Sequence, residues 1–370
     1  MIKKKIRETW RMVLVGVTVF LAFILIISAY GGMVDPNQLP AAALVTMGFP
    51  IAVIMTLVMT AVLAVFRSRL AFVGCGALLI SLPAILNFAP VNFTKSMSEE
   101  EKQRSFTVMT FNCLHWGDYD NPGDTLNRNL SMEYVLRENP DILVVQESEM
   151  KPMEKAIANI TAAQEAAFTS RYIYRQEDTS SPGLAIYSKF PITRVLFEEN
   201  MCGTGTIAAY RVSLQGHLLT IFNLHLQSLL LTPADKALFK QMTSAKGNTH
   251  DLLLMRDNVF SKLYSAYILR AEQARYIRNI LDERRGNTIV CGDFNDVPGC
   301  YAVRTLKGDD MHDAYAEAAL GPAITYGKNR FYFRIDHMLY RGDFHVYEIH
   351  KGKPVGSDHY PLMATFVWDE

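Results

Sequence analysis

Charged side chains vanish from three long stretches early in the chain, and the remainder alternates in the manner of a folded, strand-rich body. Residues 12–30, 41–66 and 70–91 contain no Asp, Glu, Lys or Arg. A helix needs about 20 apolar residues to cross a bilayer, so the pattern predicts about three transmembrane helices over those ranges. The third is the weakest, because Gly74, Gly76, Pro83 and Asn87 interrupt it. Buried helices of a water-soluble core would have to produce three nearly consecutive charge-free runs, which is a poorer account of the pattern. No small-x-small cleavage pattern follows the first run, so it reads as an uncleaved helix and not as a secretory signal. Lys3, Lys4, Lys5, Arg7 and Arg11 precede it, and Arg67 and Arg69 separate the second run from the third. Positive charge favours the cytoplasmic side. Three crossings then place the chain beyond about residue 92 outside the cytoplasm, whereas two would leave it inside.

Residues 93–104 form a polar, charge-dense linker, and the body starts near Ser105. Residues 105–111 alternate as a strand should. A helix is expected over about 125–137, after which Asn139-Pro140-Asp141 turns into an apolar strand at 142–145. Further strands are expected over 183–187, 207–214, 218–224, from 289, and over 331–339, 344–349 and 363–368. Between them, about 232–284 reads as a charged helical insert with a break near Lys246-Gly247-Asn248. Many strands interleaved with a few helices indicate an α/β or α+β two-sheet body over 105–370.

The zero net charge is unevenly distributed: residues 1–100 carry 8 Lys/Arg and 4 Asp/Glu, so the body has a net charge near −4. That is no electrostatic footprint for nucleic acid, although local basic patches remain compatible with it. Five Cys make no disulfide framework in a chain of this length. Cys113 and Cys291 read as buried small hydrophobes, Cys75 lies in an apolar run, and Cys202 and Cys300 could pair in an oxidising compartment. No Cys/His cluster suggests zinc.

Several expected strand ends carry polar residues. Cys291-Gly292-Asp293-Phe294-Asn295-Asp296 follows a β-branched run, and strand alternation would put Asp293 and Asn295 on one face with Phe294 turned inward. A carboxylate beside a carboxamide suits work on a phosphate, one orienting a water and the other donating to a phosphoryl oxygen. Taken alone, such a stretch is ordinary turn chemistry. Asn112, Glu147, His225, Asp336 and Asp358-His359 close other runs in the same way.

In order and local context these stretches, Thr-Phe-Asn at 110–112, Gln-Glu at 146–147, Asn-Leu-His-Leu at 223–226, Gly-Asp-Phe-Asn at 292–295, Arg-Ile-Asp at 334–336 and Ser-Asp-His at 357–359, resemble the endonuclease/exonuclease/phosphatase (DNase I-like) superfamily. The resemblance covers about residues 105–370 and leaves the apolar runs outside. It implies a four-layer α/β/β/α sandwich, here preceded by about three transmembrane helices, and hydrolysis of phosphate esters with Mg²⁺ or Mn²⁺. It makes Glu147 the principal metal ligand, with Asp358 and Asn112 near the ion. Asp336 would hold one nitrogen of His359, Asp293 would orient or deprotonate the attacking water, and Asn295 and His225 would donate to phosphoryl oxygens. Whether His359 or Asp293 is the base stays open. Tyr326 resembles the family's substrate-side loop, and Arg334 reads as a structural ion-pair partner before a phosphate clamp. Some DNA-repair members place an acidic residue two positions after the first-strand Asn, where this chain has Leu114, followed by His115 and Trp116.

These features together predict a membrane-anchored bacterial phosphoesterase with a multi-pass anchor of residues 1–92 in lipid and an extracytoplasmic catalytic domain. A substrate near the bilayer, such as a lipid headgroup, fits best. The apolar run after His225 could meet a lipid, or simply pack the insert onto the body. The competing expectation is an extracytoplasmic nuclease acting on DNA, RNA or nucleotides, with Lys240, Lys246, Arg256, Lys262, Arg270, Arg275 and Arg278 tracking phosphates; neighbouring Asp251, Asp257 and Glu272 argue instead for a mixed surface. A non-catalytic binding scaffold is disfavoured because every expected polar position is filled.

Overall fold

The structure, a computed structural model, describes residues 2–93, 96–117, 129–148, 160–177, 183–229, 232, 234–235, 259–328, 331–353 and 356–370. Helix α1 (Ile2–Tyr30) carries one span, Glu8–Met33, that is long and apolar enough to cross a membrane. The other two apolar runs are each broken. α2 (Pro40–Met47) meets α3 (Phe49–Val65) at 55°, and α4 (Ala71–Ile80) meets α5 (Leu82–Phe88) at 62°; counting each bent pair as one span gives up to three. Pro50 and Pro83 stand near the starts of α3 and α5. Proline removes a backbone donor and clashes with the preceding turn, which accounts for both breaks. Ala22, Leu25 and Ala29 of α1 pack against Phe49, Ala52 and Ala77, while large side chains such as Phe20, Ile54 and Phe72 point outward.

α6 (Glu99–Gln103), closed by a Ser98/Glu101 capping box, leads into the body. Its strands among the described residues are β1 (Ser105–Asn112), β2 (Ile142–Gln146), β3 (Tyr174–Glu177), β4 (Leu184–Ser188), β5 (Ile192–Met201), β6 (Gly205–Leu214), β7 (His217–His225), β8 (Thr288–Asp293), β9 (His312–Asp313), β10 (Tyr326–Lys328), β11 (Phe331–Phe333), β12 (Asp336–Arg341), β13 (Phe344–Lys351) and β14 (Leu362–Trp368). They form two six-stranded sheets, ordered β13-β14-β1-β2-β4-β3 and β5-β6-β7-β8-β12-β9, with β10-β11 as a separate hairpin.

Strand alternation decides which side chains go where. Val108, Ile142 and Val144 of the first sheet face Tyr210, Ile221, Ile289 and Cys291 of the second in one core. The intervening Met109, Leu143 and Val145 pack outward with Met132 and Val135 of α7 (Leu130–Glu138) and Phe168 of α8 (Ala162–Arg171). On the far side Leu224, Val290 and Leu339 pack with Ala274, Ile277 and Leu281 of α9 (Ser261–Glu283) and Val303 of α10 (Tyr301–Lys307). The body is thus the mixed α/β sandwich expected, in four layers.

The strand directions create one functional edge. β1 runs parallel to β2, and β7 parallel to β8. β12 runs antiparallel to β8 and β14 antiparallel to β1. The ends of β1, β7 and β8, the residue after β2, the start of β12 and the segment before β14 can therefore meet.

Local expectations are adjusted in three places. The strand expected over 331–339 is split at Arg334-Ile335, because Arg334 is buried beside Asp313 and the Thr325 hydroxyl accepts the backbone N–H groups of Ile335 and Asp336. The helix expected from about 125 is α7, which starts at Leu130 behind an Asn129 cap; residues 118–128 lie outside the described ones. α9 is the described part of the insert, and its break near 246–248 also lies outside the described residues.

The body and the N-terminal helices are locked together. Arg275 of α9 meets Asp35 at 2.7 Å, and Arg334 Nη2 donates to the Asn87 carbonyl at 3.2 Å. A Cβ at Gly32 would fall 1.8 Å from the Gly299 carbonyl oxygen, so only glycine allows this approach.

His337 on β12 donates from Nε2 to the Asp296 carbonyl at 2.8 Å, and its buried Nδ1 has no partner among the described residues. Burial, and then the Arg334 guanidinium, hold its imidazole down to about 4. The unfolded chain takes up this proton near pH 6.5, so the native advantage is full above that pH and is lost as pH falls toward 4. Wild type is expected to lose about 2 kcal/mol from this group between pH 7 and 5. His337→Gln should flatten the corresponding fall in melting temperature, and equal slopes in the two proteins would contradict this.

Candidate active site

Each polar side chain at the functional edge is placed by a strand end and a turn. Asn112 closes β1, and its amide nitrogen donates to Glu147 Oε1 and Asp293 Oδ2, both at 3.1 Å. Its oxygen accepts from the Leu114 N–H at 3.2 Å, so it is the amide nitrogen that faces the carboxylates. Glu147 follows β2 with a left-handed backbone, φ 51°. A left-handed non-glycine residue is uncommon and collects at functional sites. The Glu147 carbonyl accepts from the His115 N–H at 2.7 Å, tying the two turns together.

Asp293 ends β8 directly opposite Asp336 of β12. Its Oδ1 accepts from the Asn295 N–H at 2.8 Å, and Asn295 Nδ2 donates to the Leu226 carbonyl at 2.9 Å. Asp293 and Asn295 do line one cavity, by a different route from strand alternation. The strand stops at Asp293, and Asn295 turns back with φ 51° while Phe294 enters the core. Gly292 makes the close approach possible, with φ +136° and room for no side chain: a Cβ there would lie 2.0 Å from the Leu224 carbonyl oxygen.

His359 and Asp336 form the second half. His359 Nδ1 lies 2.9 Å from Asp336 Oδ2, and its Nε2 faces Asp293 Oδ2 at 3.6 Å. Burial works against a charged imidazole, but Asp336 and then Asp293 outweigh it and hold His359 up to about 10. The Ser357 hydroxyl donates to the Asn112 carbonyl and accepts the His359 N–H, coupling this turn to β1. His225 Nε2 stands 3.8 Å from both Glu147 Oε1 and Asp293 Oδ2. The Tyr326 ring lies 5.0 Å from that of His359.

Glu147, His225, Asp293, Asn295, Asp358 and His359 line one cavity of about 230 Å³. Asn112 and Asp336 stand behind it and hold those residues by hydrogen bonds. Burial and then the charge of Glu147 push the Asp358 carboxyl upward. Two such carboxylates are hard oxygen donors whose repulsion a divalent cation would relieve, so the residues fit such an ion. Asp293, Asp336 and His359 also present ligand atoms within 4.8 Å of one another. In that trio Asp336 is engaged by an imidazole nitrogen, which makes it a hydrogen-bonded relay before a cation cage.

The structure also adds and corrects. His115, whose Nε2 lies 3.8 Å from Glu147 Oε2, carries no signal in the sequence beyond its place in the turn after Asn112. Arg334 is a structural ion-pair partner stacked over Tyr315. Arg270, Arg275, Arg278 and Lys262 are no exposed strip, since they pair with Asp296, Asp35, Asp310 and Asp235; Lys240, Lys246 and Arg256 lie outside the described residues. Cys202 and Cys300 do not pair, one being exposed and the other buried.

The model of the Endonuclease/Exonuclease/phosphatase family matches residues 109–359, and that of a domain of unknown function matches residues 11–88. Among solved structures, an endonuclease/exonuclease/phosphatase from Beutenbergia cavernae is similar at 17% identity and TM-score 0.49, over 72% of this chain and 72% of that one. Truncated Caenorhabditis elegans TDP2 is similar at 16% identity and TM-score 0.47, over 71% and 98% of the two chains. The human Nocturnin catalytic domain is similar at 18% identity and TM-score 0.44, over 72% and 94%. No curated protein sequence matches.

Gly292 gives a direct test of how the site is positioned. Gly292→Ala combines backbone strain with a clash, whereas Gly286→Ala, at φ +107° with nothing within 4 Å of the added Cβ, carries strain alone. The first should cost at least about 2 kcal/mol and the second about 1 kcal/mol. Equal losses of melting temperature would contradict the close-approach argument.

Proposed function

The chain belongs to the endonuclease/exonuclease/phosphatase family, and from that premise we propose that it is a metal-dependent phosphoester hydrolase of a bacterial inner membrane. Residues 1–92 form a three-pass anchor, residues 93–104 a linker, and residues 105–370 the catalytic domain, held on the outer face. The observation that carries the reading is the Asn112 amide shared between Glu147 and Asp293, which brings metal-type and water-activating carboxylates into one site.

Glu147 and Asp358 would hold Mg²⁺ or Mn²⁺, with Asn112 near the ion and orienting Glu147 through its amide nitrogen. When bound, the ion neutralises the ester and eases departure of the leaving oxygen. Asp293 accepts a proton from the attacking water, its orientation fixed by the Asn295 N–H. His359 is held as a cation by Asp336 and so acts as a donor toward a phosphoryl oxygen. His225 Nε2 and the second amide N–H of Asn295 donate to the same group. Water forms the new P–O bond and the ester P–O bond breaks, the leaving oxygen taking up a proton.

The substrate is proposed to be membrane-proximal, in line with the anchor's rigid attachment to the body. Nucleic acid is disfavoured, because Lys262, Arg270, Arg275 and Arg278 of the insert each pair with a carboxylate of the fold.

Full-length protein with Mg²⁺ or Mn²⁺ should hydrolyse bis(p-nitrophenyl) phosphate, and chelation should stop it. Glu147→Gln and His359→Ala should each lower kcat by about 10³-fold, the first with its melting temperature little changed and the second with a lower one, because buried Asp336 loses its partner. Unaltered turnover in either variant would sink the assignment.

A further inference from the structure

The membrane anchor itself supplies part of the catalytic cavity wall. Met47, the last residue of α2, lines it together with Leu229, Tyr267, Phe333 and Ile335, in the same cavity as Glu147 and His359. The placement is fixed from both sides. The Tyr267 hydroxyl donates to Met47 Sδ at 3.4 Å, and Ala43 and Leu44 pack on Val259, Leu263 and Tyr267. Two residues after Met47, at Phe49, α3 begins, the main apolar helix of the second expected span. The cavity wall at Met47 therefore lies within roughly one helical turn of the anchor's apolar part.

Further exposed apolar side chains lie on the linker and the body. Phe93, Leu320 and Tyr332 are 78%, 63% and 59% exposed. Leu320 is bridged to Val91, just after the anchor's last helix, and Tyr332 neighbours Phe333 of the cavity. Large apolar side chains left in water beside a membrane helix mark a surface that meets lipid.

We propose that the cavity binds a membrane phospholipid as substrate. The phosphate sits at the polar half, the first methylenes of the tail lie along Met47, Leu229 and Tyr267, and the rest of the tail stays in the bilayer. The inference rests on the hydrolase reading above and narrows its substrate to an amphiphile. A soluble ester gains nothing from the apolar wall, whereas each methylene kept from water strengthens binding by up to about fourfold.

The test compares ethyl and octyl p-nitrophenyl phosphate as substrates of the full-length protein in lipid nanodiscs. In wild type the octyl ester should have at least about tenfold higher kcat/KM. Met47→Gln, and independently Leu229→Gln on the body side, should cut the ratio of octyl to ethyl kcat/KM at least about threefold, roughly one buried methylene. Met47→Leu should keep the advantage. Partition of the octyl ester into the disc is the same for every variant, so only a lining effect separates them. Equal kcat/KM for the two esters, or an octyl advantage that neither Gln variant reduces, overturns the proposal and favours a soluble substrate. If neither ester is hydrolysed, the hydrolase reading fails on its own. Binding of octylphosphonate against ethylphosphonate then decides the subsite: about tenfold tighter binding of the longer chain supports it, and equal binding overturns it.

Discussion

Four carboxylates crowded at one end of a sandwich are the constraint on which the rest of this structure depends. Asp293 and Asp336 are opposite one another across adjacent strands and both are buried, and Glu147 and Asp358 share the cavity in front of them. Buried like charges are tolerable only where donors or cations answer them. The Asn112 amide answers Glu147 and Asp293, the His359 imidazole answers Asp336, and the Asn295 backbone answers the other oxygen of Asp293. Asp358 is drawn on by the His359 charge, yet burial and Glu147 still push its carboxyl upward, and that remainder is the physical case for a divalent cation.

The frame that holds this arrangement is polar as well as apolar. Just beneath the site Gln146 Nε2 donates to Asn223 Oδ1 at 2.7 Å across the two sheets, and Asn223 Nδ2 donates to the Val145 carbonyl at 2.8 Å. These bonds tie the two sheets in register more specifically than apolar contact alone, while Gln146 Oε1 is left without a partner among the described residues. The docked N-terminal helices extend the same rigidity outward, through Asp35, Asn87 and Gly32, so that Met47 of an apolar helix and a set of carboxylates line one cavity.

Much of the body was legible in the sequence because period-two alternation and turn residues act locally. The core sides of β1, β2 and β8 follow from their patterns, and the strand-end polar residues pointed to one edge. The route by which Asn295 reaches the cavity was not legible, because alternation does not foresee a left-handed residue after the strand. The break at Arg334 was missed for a related reason: its cause is a pairing with Asp313 and with Thr325, neither of them adjacent in sequence. Met47 as a cavity wall was likewise out of reach. Its run reads simply as apolar, and only the packing of α2 on α9 gives it a place beside the site. The bend before Pro83 falls in the run that its own residues mark as interrupted, whereas the bend before Pro50 was not foreseen.

The central claim is that the answered and unanswered carboxylates together make a cation site. Manganese binding to the full-length protein, followed by electron paramagnetic resonance at neutral pH, tests it most directly. The account predicts saturable binding that Mg²⁺ displaces and that Glu147→Gln removes while the protein stays folded. Manganese that remains free in the presence of wild type, or that binds Glu147→Gln equally well, would contradict it.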